Sequence, residues 1–395
     1  LPASPSAGDI VAVADYAGTA ATNNITIARN SSPIEGQTND GSIQSIRETV
    51  TLVYVDGTQG WVLVNSNDER FIGSQFICAT GGTVVTCGDF KTHIFTGPGT
   101  FAVNCVAPGP SGNPNAMDYF VVAGGGGGPS IGGGGGGAGG FRVSNCVGSI
   151  PAPTMSPLVK ACGALTATAT CFSITVGGGG AGGALPGNNN GVNGSNSIFS
   201  TITSAGGGFA GSRGAPTGAD GNTGGSGGGG AGGAGNTPPV SPPQGQNGGL
   251  AGGPSTPRAG GGGGGAAAAG GSGAPSQDAG DGGAGSFIAD AFIGPTAPSY
   301  GTPGPVSSTR YFSGGGGAGV ESAPSIGLGS NGDGGVGGGG GGGQGPTTRG
   351  AGTSGTTNTG GGGGGASRYD CAGSPNYGAG GSGGSGIVMI RYKFQ

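Results

Sequence analysis

The chain has 395 residues, of which 109 are Gly and 27 Pro; only 8% are charged, for a net charge of −4 at pH 7. Adjacent glycines break any Gly-X-Y period and exclude collagen, while 13 Lys and Arg scattered singly leave no basic patch for nucleic acid. Gly and Pro at about a third of the chain suggest disorder, but disordered chains usually stay soluble through charge, which this one lacks.

The chain starts at Leu1 rather than Met, which reads as a piece of a longer or processed polypeptide. Residues 1–67 have ordinary composition and read as a small β-sandwich-like module. Asp9–Asp15, Asn24–Ala28, Thr49–Val55 and Gly60–Asn65 are short, β-branched and bounded by turn formers, and several alternate apolar with polar residues. The link from Asp56 to Gly60 reads as a hairpin, and Trp61, the single tryptophan, as a core anchor.

Residues 68–123 form a second run of strands that begins the distal domain. The seven cysteines are Cys78, Cys87, Cys105, Cys146, Cys162, Cys171 and Cys371, so at least one thiol is free or joined to another chain. A type II′ turn at Gly82-Thr83 would set Cys78 opposite Cys87 as a non-hydrogen-bonded pair with Cα atoms ~4.5 Å apart, within disulfide range. A type I′ turn at Gly81-Gly82 would instead set Cys87 opposite Phe76 and remove that bond. His93, the single histidine, has no second His and no nucleophile beside it, and reads as an ordinary strand residue. A hairpin about Gly97-Pro98-Gly99 is expected next, followed by a strand over Tyr119–Ala123.

Residues 124–395 are glycine-rich, with runs such as Gly124–Gly128, Gly132–Gly137, Gly337–Gly343 and Gly360–Gly365. Each interior Gly costs a helix or strand roughly 0.5–1 kcal/mol relative to Ala, so such runs fit neither element. Extended left-handed threefold helices, whose backbone groups all point sideways, would let glycine tracts bond to one another. The fold class expected is therefore all-β N-terminal modules followed by a bundle of polyglycine II helices, closed by a β-strand over residues 386–394. In that strand Ile390, Tyr392 and Phe394 alternate with Arg391 and Lys393, as one buried face requires. Strand-forming sequence brackets the glycine region, so its two ends are expected side by side. Ordering this much glycine costs about 1–2 kcal/mol per residue, which a dense hydrogen-bond lattice must offset.

No C-x-x-C supports a zinc or redox site, no Walker-type lysine follows a glycine loop, and no apolar run approaches the ~20 residues that span a bilayer. Asp and Glu are too sparse to pick out a catalytic pair. The expectation is no enzyme, metal, cofactor, nucleic-acid partner or membrane insertion.

Specific text carries a family resemblance. Leu1–Asp9, Asn24–Asn30, Ile34–Gly36 and Thr51–Trp61 resemble a module of tail-fibre and other virion structural proteins of bacteriophages, especially those infecting cyanobacteria. Phe95–Phe101, Tyr119–Gly128, Gly136–Arg142 and Gly381–Tyr392 resemble the glycine-rich domain that often follows it. The resemblance implies a structural virion fibre protein, extracellular on the particle. It implies a homotrimer joined to other tail or baseplate proteins, with a glycine-rich tip attaching to a host receptor, either a polysaccharide or an outer-membrane protein. Contacts would then fall on the connections between tracts. The candidates are Phe287, Phe292, Tyr300, Tyr311, Phe312, Arg368, Tyr369 and Tyr377, whose other reading is that the aromatics cap the bundle. Alternatives are a purely architectural head or baseplate fibre, or a cellular extracellular glycine-rich adhesive or matrix protein.

Overall fold

A computed structural model describes residues 1–66, 76–107, 115–161, 163–212, 221–252, 259–274, 278–322, 329–344, 350–371 and 374–394. The N-terminal module carries β1 (Ile10–Ala14), β2 (Ile25–Ile27), β3 (Gly41–Ile43), β4 (Thr49–Asp56) and β5 (Gly60–Ser66). Strands β1, β4 and β5 form one antiparallel sheet, and β2 pairs with β3. The turn between β4 and β5 is closed by Asp56, whose carboxylate accepts from the Thr58 and Gln59 N–H groups at 2.8 and 2.7 Å. Alternation puts Val50 and Leu52 of β4 inside with Ile34, Ile43 and Trp61. Trp61 is fully buried, edge-on to Tyr54 at 5.5 Å between centroids. The boundary at 67/68 lies outside the described residues.

The strands that follow are β6 (Cys78–Thr80), β7 (Thr83–Cys87), β8 (Phe90–Phe95), β9 (Gly99–Cys105), β10 (Ala116–Val122), β11 (Phe141–Ser144), β12 (Val159–Lys160), β13 (Leu165–Thr166), β14 (Cys171–Thr175), β15 (Ser197–Phe199) and β16 (Ile202–Ser204). After them come β17 (Ser286–Ala289), the one-turn helix α1 (Asp290–Ile293), β18 (Thr309–Phe312), β19 (Glu321–Ser322), β20 (Arg368–Cys371), β21 (Ser374–Tyr377) and β22 (Ile387–Lys393). One sheet runs β12-β11-β10-β22-β8-β7, with β13 also on β10; a second runs β16-β15-β14-β9-β6.

The central strands of the first sheet, β10 and β22, are buried on both faces. Tyr119, Val121, Val388, Ile390 and Tyr392 face the second sheet, meeting Phe101, Ile174 and Phe199 there. Their neighbours in sequence, Phe120, Val122, Ile387 and Met389, face the β17–β18 pair and α1, meeting Ile288, Phe292 and Phe312. A period of two along β10 and β22 thus feeds two cores, which is how a strand buried on both sides reads. Strands β10 and β22 pair antiparallel with Val122 opposite Ile387, so the two ends of the glycine region sit side by side.

Three expectations are corrected. The bundle of polyglycine II helices is not what the structure contains. Its regular elements are β-strands in several sheets, mostly antiparallel, with α1 and a short 3-10 turn, and nothing in it supports a helical bundle. The glycine tracts run instead as extended connections anchored at apolar strands, which composition alone cannot place. Second, neither expected hairpin forms: β6 and β7 belong to different sheets, as do β8 and β9, so the Gly81-Gly82 and Gly97–Gly99 corners carry the chain from one sheet to the other. Gly81 and Gly82 both adopt positive φ, and a Cβ on Gly81 would collide with the Thr100 carbonyl. Third, because β6 pairs with β9, Cys78 faces Cys105 at 4.9 Å between Cα atoms and is disulfide-bonded to it, while Cys87 is a free thiol on another sheet.

The glycine connections shuttle between the sheets and a second end. Ala123–Ser130 leads away from β10, turns at Ile131 and Gly132 (both with positive φ), and Gly133–Gly140 returns to β11. Backbone bonds tie these legs to each other, Gly126 N–H to the Gly137 carbonyl at 2.8 Å. They also tie them to distant segments. Gly136 N–H donates to the Gly363 carbonyl, and the Gly136 carbonyl accepts from Gly316 N–H, each at 2.8 Å. Gly263 N–H reaches the Gly316 carbonyl at 2.8 Å, and Gly363 N–H the Gly126 carbonyl at 2.9 Å. A Cβ on Gly136 would fall on the Gly126 carbonyl. Side chains would push these backbones apart and strand their polar groups, which is why the tracts are glycine.

Candidate functional site

The eight residues singled out in the sequence separate into two groups. Phe287, Phe292, Tyr300, Tyr311 and Phe312 gather at the sheet end, around β17, α1 and β18. Phe292 and Phe312 are fully buried; Phe312 stacks edge-on to Phe120 at 4.8 Å, and the Arg391 guanidinium lies 5.7 Å from the Phe292 ring. Tyr311 is buried against Phe287, with ring centroids 5.0 Å apart. As a contact surface Phe292, Tyr311 and Phe312 are therefore corrected: Phe292 and Phe312 belong to the core under the central sheet, Tyr311 is buried against Phe287, and the three have little area to offer a receptor. Phe287 and Tyr300 are half-buried, Phe287 on the wall of an apolar recess with Ile150, Pro153 and Met155.

Arg368, Tyr369 and Tyr377 lie at the other end. The segment from Ser313 to Val320 connects the two groups, with a reach of at most about 25 Å at ~3.3–3.6 Å per residue. At its near end Ser313 bonds Thr359 and Ala266; at its far end Gly319 bonds Gly133, and Val320 accepts from Arg368 N–H. There β19, β20 and β21 form a small sheet. Arg368 pairs with Glu321 at 3.3 Å and sits 5.7 Å from the centre of the Tyr377 ring. The Tyr369 side chain lies outside the described residues, while its backbone is in β20, opposite Asn376.

Two partners of this far end were missed in the sequence. One is Glu321, which carries no local motif. The other is the turn from Ala184 to Asn190, held by Asn189 donating to the Ala184 carbonyl at 2.7 Å and by Ser130 Oγ donating to the Gly187 carbonyl at 2.8 Å. The Pro-Gly-Asn run there is a turn signal that could have found it.

A groove of about 720 Å³ opens on the same half of the glycine region. Ser330, Asn331, Asp333, Gln344, Ala351 and Thr353 line it over a floor of Gly332, Gly341 and Gly342.

His93 belongs to neither place. Fully buried, it donates from Nδ1 to the Gly81 carbonyl at 2.7 Å, so Nε2 accepts from the Tyr392 hydroxyl at 2.9 Å. Burial lowers its pKa, which keeps the ring neutral as these bonds require. It clamps the corner at Gly81 to the central sheet. Among the described residues no group of His, Cys, Asp or Glu could hold a metal ion, and no helix is long and apolar enough to cross a membrane.

A family model described as a glycine-rich domain matches residues 96–393, which covers every glycine tract and the strands of the two large sheets other than β6, β7 and β8. No curated protein matches the chain.

Proposed function

The chain belongs to the glycine-rich domain family, and from that premise we propose that it is a structural fibre protein of a bacteriophage virion whose glycine-rich part attaches the particle to its host. The observation that carries this reading is the layout of the tracts. They leave the sheets and return, so the turns at Ile131-Gly132 and Ala184–Asn190 and the strands β19–β21 collect at one end, away from the hydrophobic cores. A lattice of backbone bonds makes a stiff base for these connections, and connections on a rigid scaffold are where recognition concentrates. The resemblance of the N-terminal module to virion fibre modules supports the same reading. It also supports a homotrimer on the outside of the particle, mounted on tail or baseplate proteins and facing a polysaccharide or outer-membrane-protein receptor.

Antibodies raised against the chain test this on intact virions. They should decorate fibre ends in electron micrographs and cut host adsorption by at least about tenfold. Decoration of the head or baseplate with unchanged adsorption would leave an architectural protein, and decoration of cell-surface material alone would place the chain in a cellular matrix.

A further inference from the structure

We propose that the groove between segments 330–333, 341–344 and 351–353 is a binding site for a neutral saccharide. The assignment rests on the attachment reading for its purpose, and on the groove's own chemistry for its ligand. At about 720 Å³ it is of the size that small-ligand sites occupy. Its wall is polar and partly committed. Ser330 Oγ donates to Asp278 at 2.8 Å; Ser367 Oγ gives its one proton to the Gly343 carbonyl, so the Asn331 side-chain amide 2.8 Å away donates to it and keeps its second N–H as a donor and its oxygen as an acceptor. Thr353 Oγ1 donates to the Gly341 carbonyl at 3.1 Å and keeps its lone pairs as acceptors. Asp333 and Gln344 are exposed, and among the described residues no hydrogen bond engages the Asp333 carboxylate or the Gln344 amide.

Donors and acceptors thus share one opening. Vicinal hydroxyls, each a donor and an acceptor, match that set, and planar carboxylate and amide groups can engage two hydroxyls at once. Among the described residues no Lys or Arg lines the groove, while Asp333 does, so a phosphorylated or sulfated ligand meets repulsion in place of a charge partner. Among the described residues no aromatic ring or large apolar side chain lines it either, which disfavours an apolar ligand.

The floor supplies the control. Nearly every other tract glycine would drive a Cβ into backbone, but at Gly341 the nearest atom to an added Cβ is Thr353 Oγ1 at 3.8 Å. A side chain there fills the groove without separating the segments around it.

The test is saturation-transfer NMR on the full chain with maltose, cellobiose, lactose and glucose 6-phosphate at roughly millimolar concentration, which detects binding worth about 4 kcal/mol or more. At least one neutral disaccharide should give signal, at least fivefold weaker in Gly341→Leu and in the surface variant Asp333→Ala, with glucose 6-phosphate silent. Absence of signal from all three disaccharides overturns the proposal, as does signal that survives both substitutions or preference for the phosphorylated sugar. Adhesion of the same variants to host cells separates the two readings: adhesion without sugar binding removes the groove and leaves attachment standing.

Discussion

Gly136→Ala should destabilise the glycine-rich domain by at least about 3 kcal/mol, at or beyond the usual range for overpacking, whereas Gly178→Ala should leave it unchanged or add up to about 1 kcal/mol. The two residues share a composition and differ in surroundings. Gly136 bonds Gly363 and Gly316, and a methyl group would fall on the Gly126 carbonyl. Backbone cannot swing aside as a side chain does, so relief requires parting at least two segments and breaking their bonds. Gly178 is exposed, and nothing lies within 4 Å of an added Cβ. There the methyl group only narrows the unfolded ensemble, which stabilises by roughly 0.4–1 kcal/mol. Urea midpoints of the two variants measure the contrast. If the tracts were loosely associated, both substitutions would stabilise.

Asp118→Ala should cost about 3–5 kcal/mol, the range for removing one partner of a buried ion pair. Asp118 of β10 faces Arg391 of β22 in the central sheet, and both are buried. The Asp118 carboxylate accepts from Ser144 Oγ at 2.7 Å and from the Cys146 and Val147 N–H groups at 2.8 Å. It lies 4.0 Å from Arg391 Nη1, which donates to the Val147 carbonyl at 2.6 Å, and the guanidinium covers the Phe90 ring at 3.8 Å. Removing the carboxylate leaves a buried cation without its counter-charge and two N–H groups without acceptors. Arg391→Met should cost less, roughly 2 kcal/mol, since three donors still solvate Asp118. The order of the two variants in denaturant midpoint checks the argument, and a larger loss in Arg391→Met would contradict it.

Arg391 also marks where sequence reasoning stopped. Alternation along Ile390, Tyr392 and Phe394 signals a strand, and the charges between them suggest a solvent face; only the partner strand reveals that Arg391 is inside, against Asp118. Local patterns were readable where a strand pairs with its sequence neighbour, as at the Asp56–Gly60 turn between β4 and β5. They misled where the chain changes sheets. Gly81-Gly82 has the positive φ values of a hairpin turn, yet its flanking strands find different partners, and Cys78 meets Cys105. In the site, Phe292 and Phe312 looked like interruptions among glycines, but apolar residues in so polar a chain are its scarce core formers. Arg368 and Tyr377 stand together at the far end, while Glu321 reaches Arg368, and Asp333 and Gln344 reach one groove, only through tracts that carry no side-chain code.

The central claim is that the glycine tracts are an ordered lattice of backbone hydrogen bonds spanning two ends. Amide hydrogen exchange on the intact chain tests it most directly, because exposed glycine amides exchange freely and lattice amides exchange only on opening. Gly126, Gly136, Gly316 and Gly363 should be protected as strongly as Val121 and Met389 of the central sheet, with Gly178 exchanging fast. Exchange of all five glycines at the unprotected rate, while the sheet stays protected, would contradict the lattice.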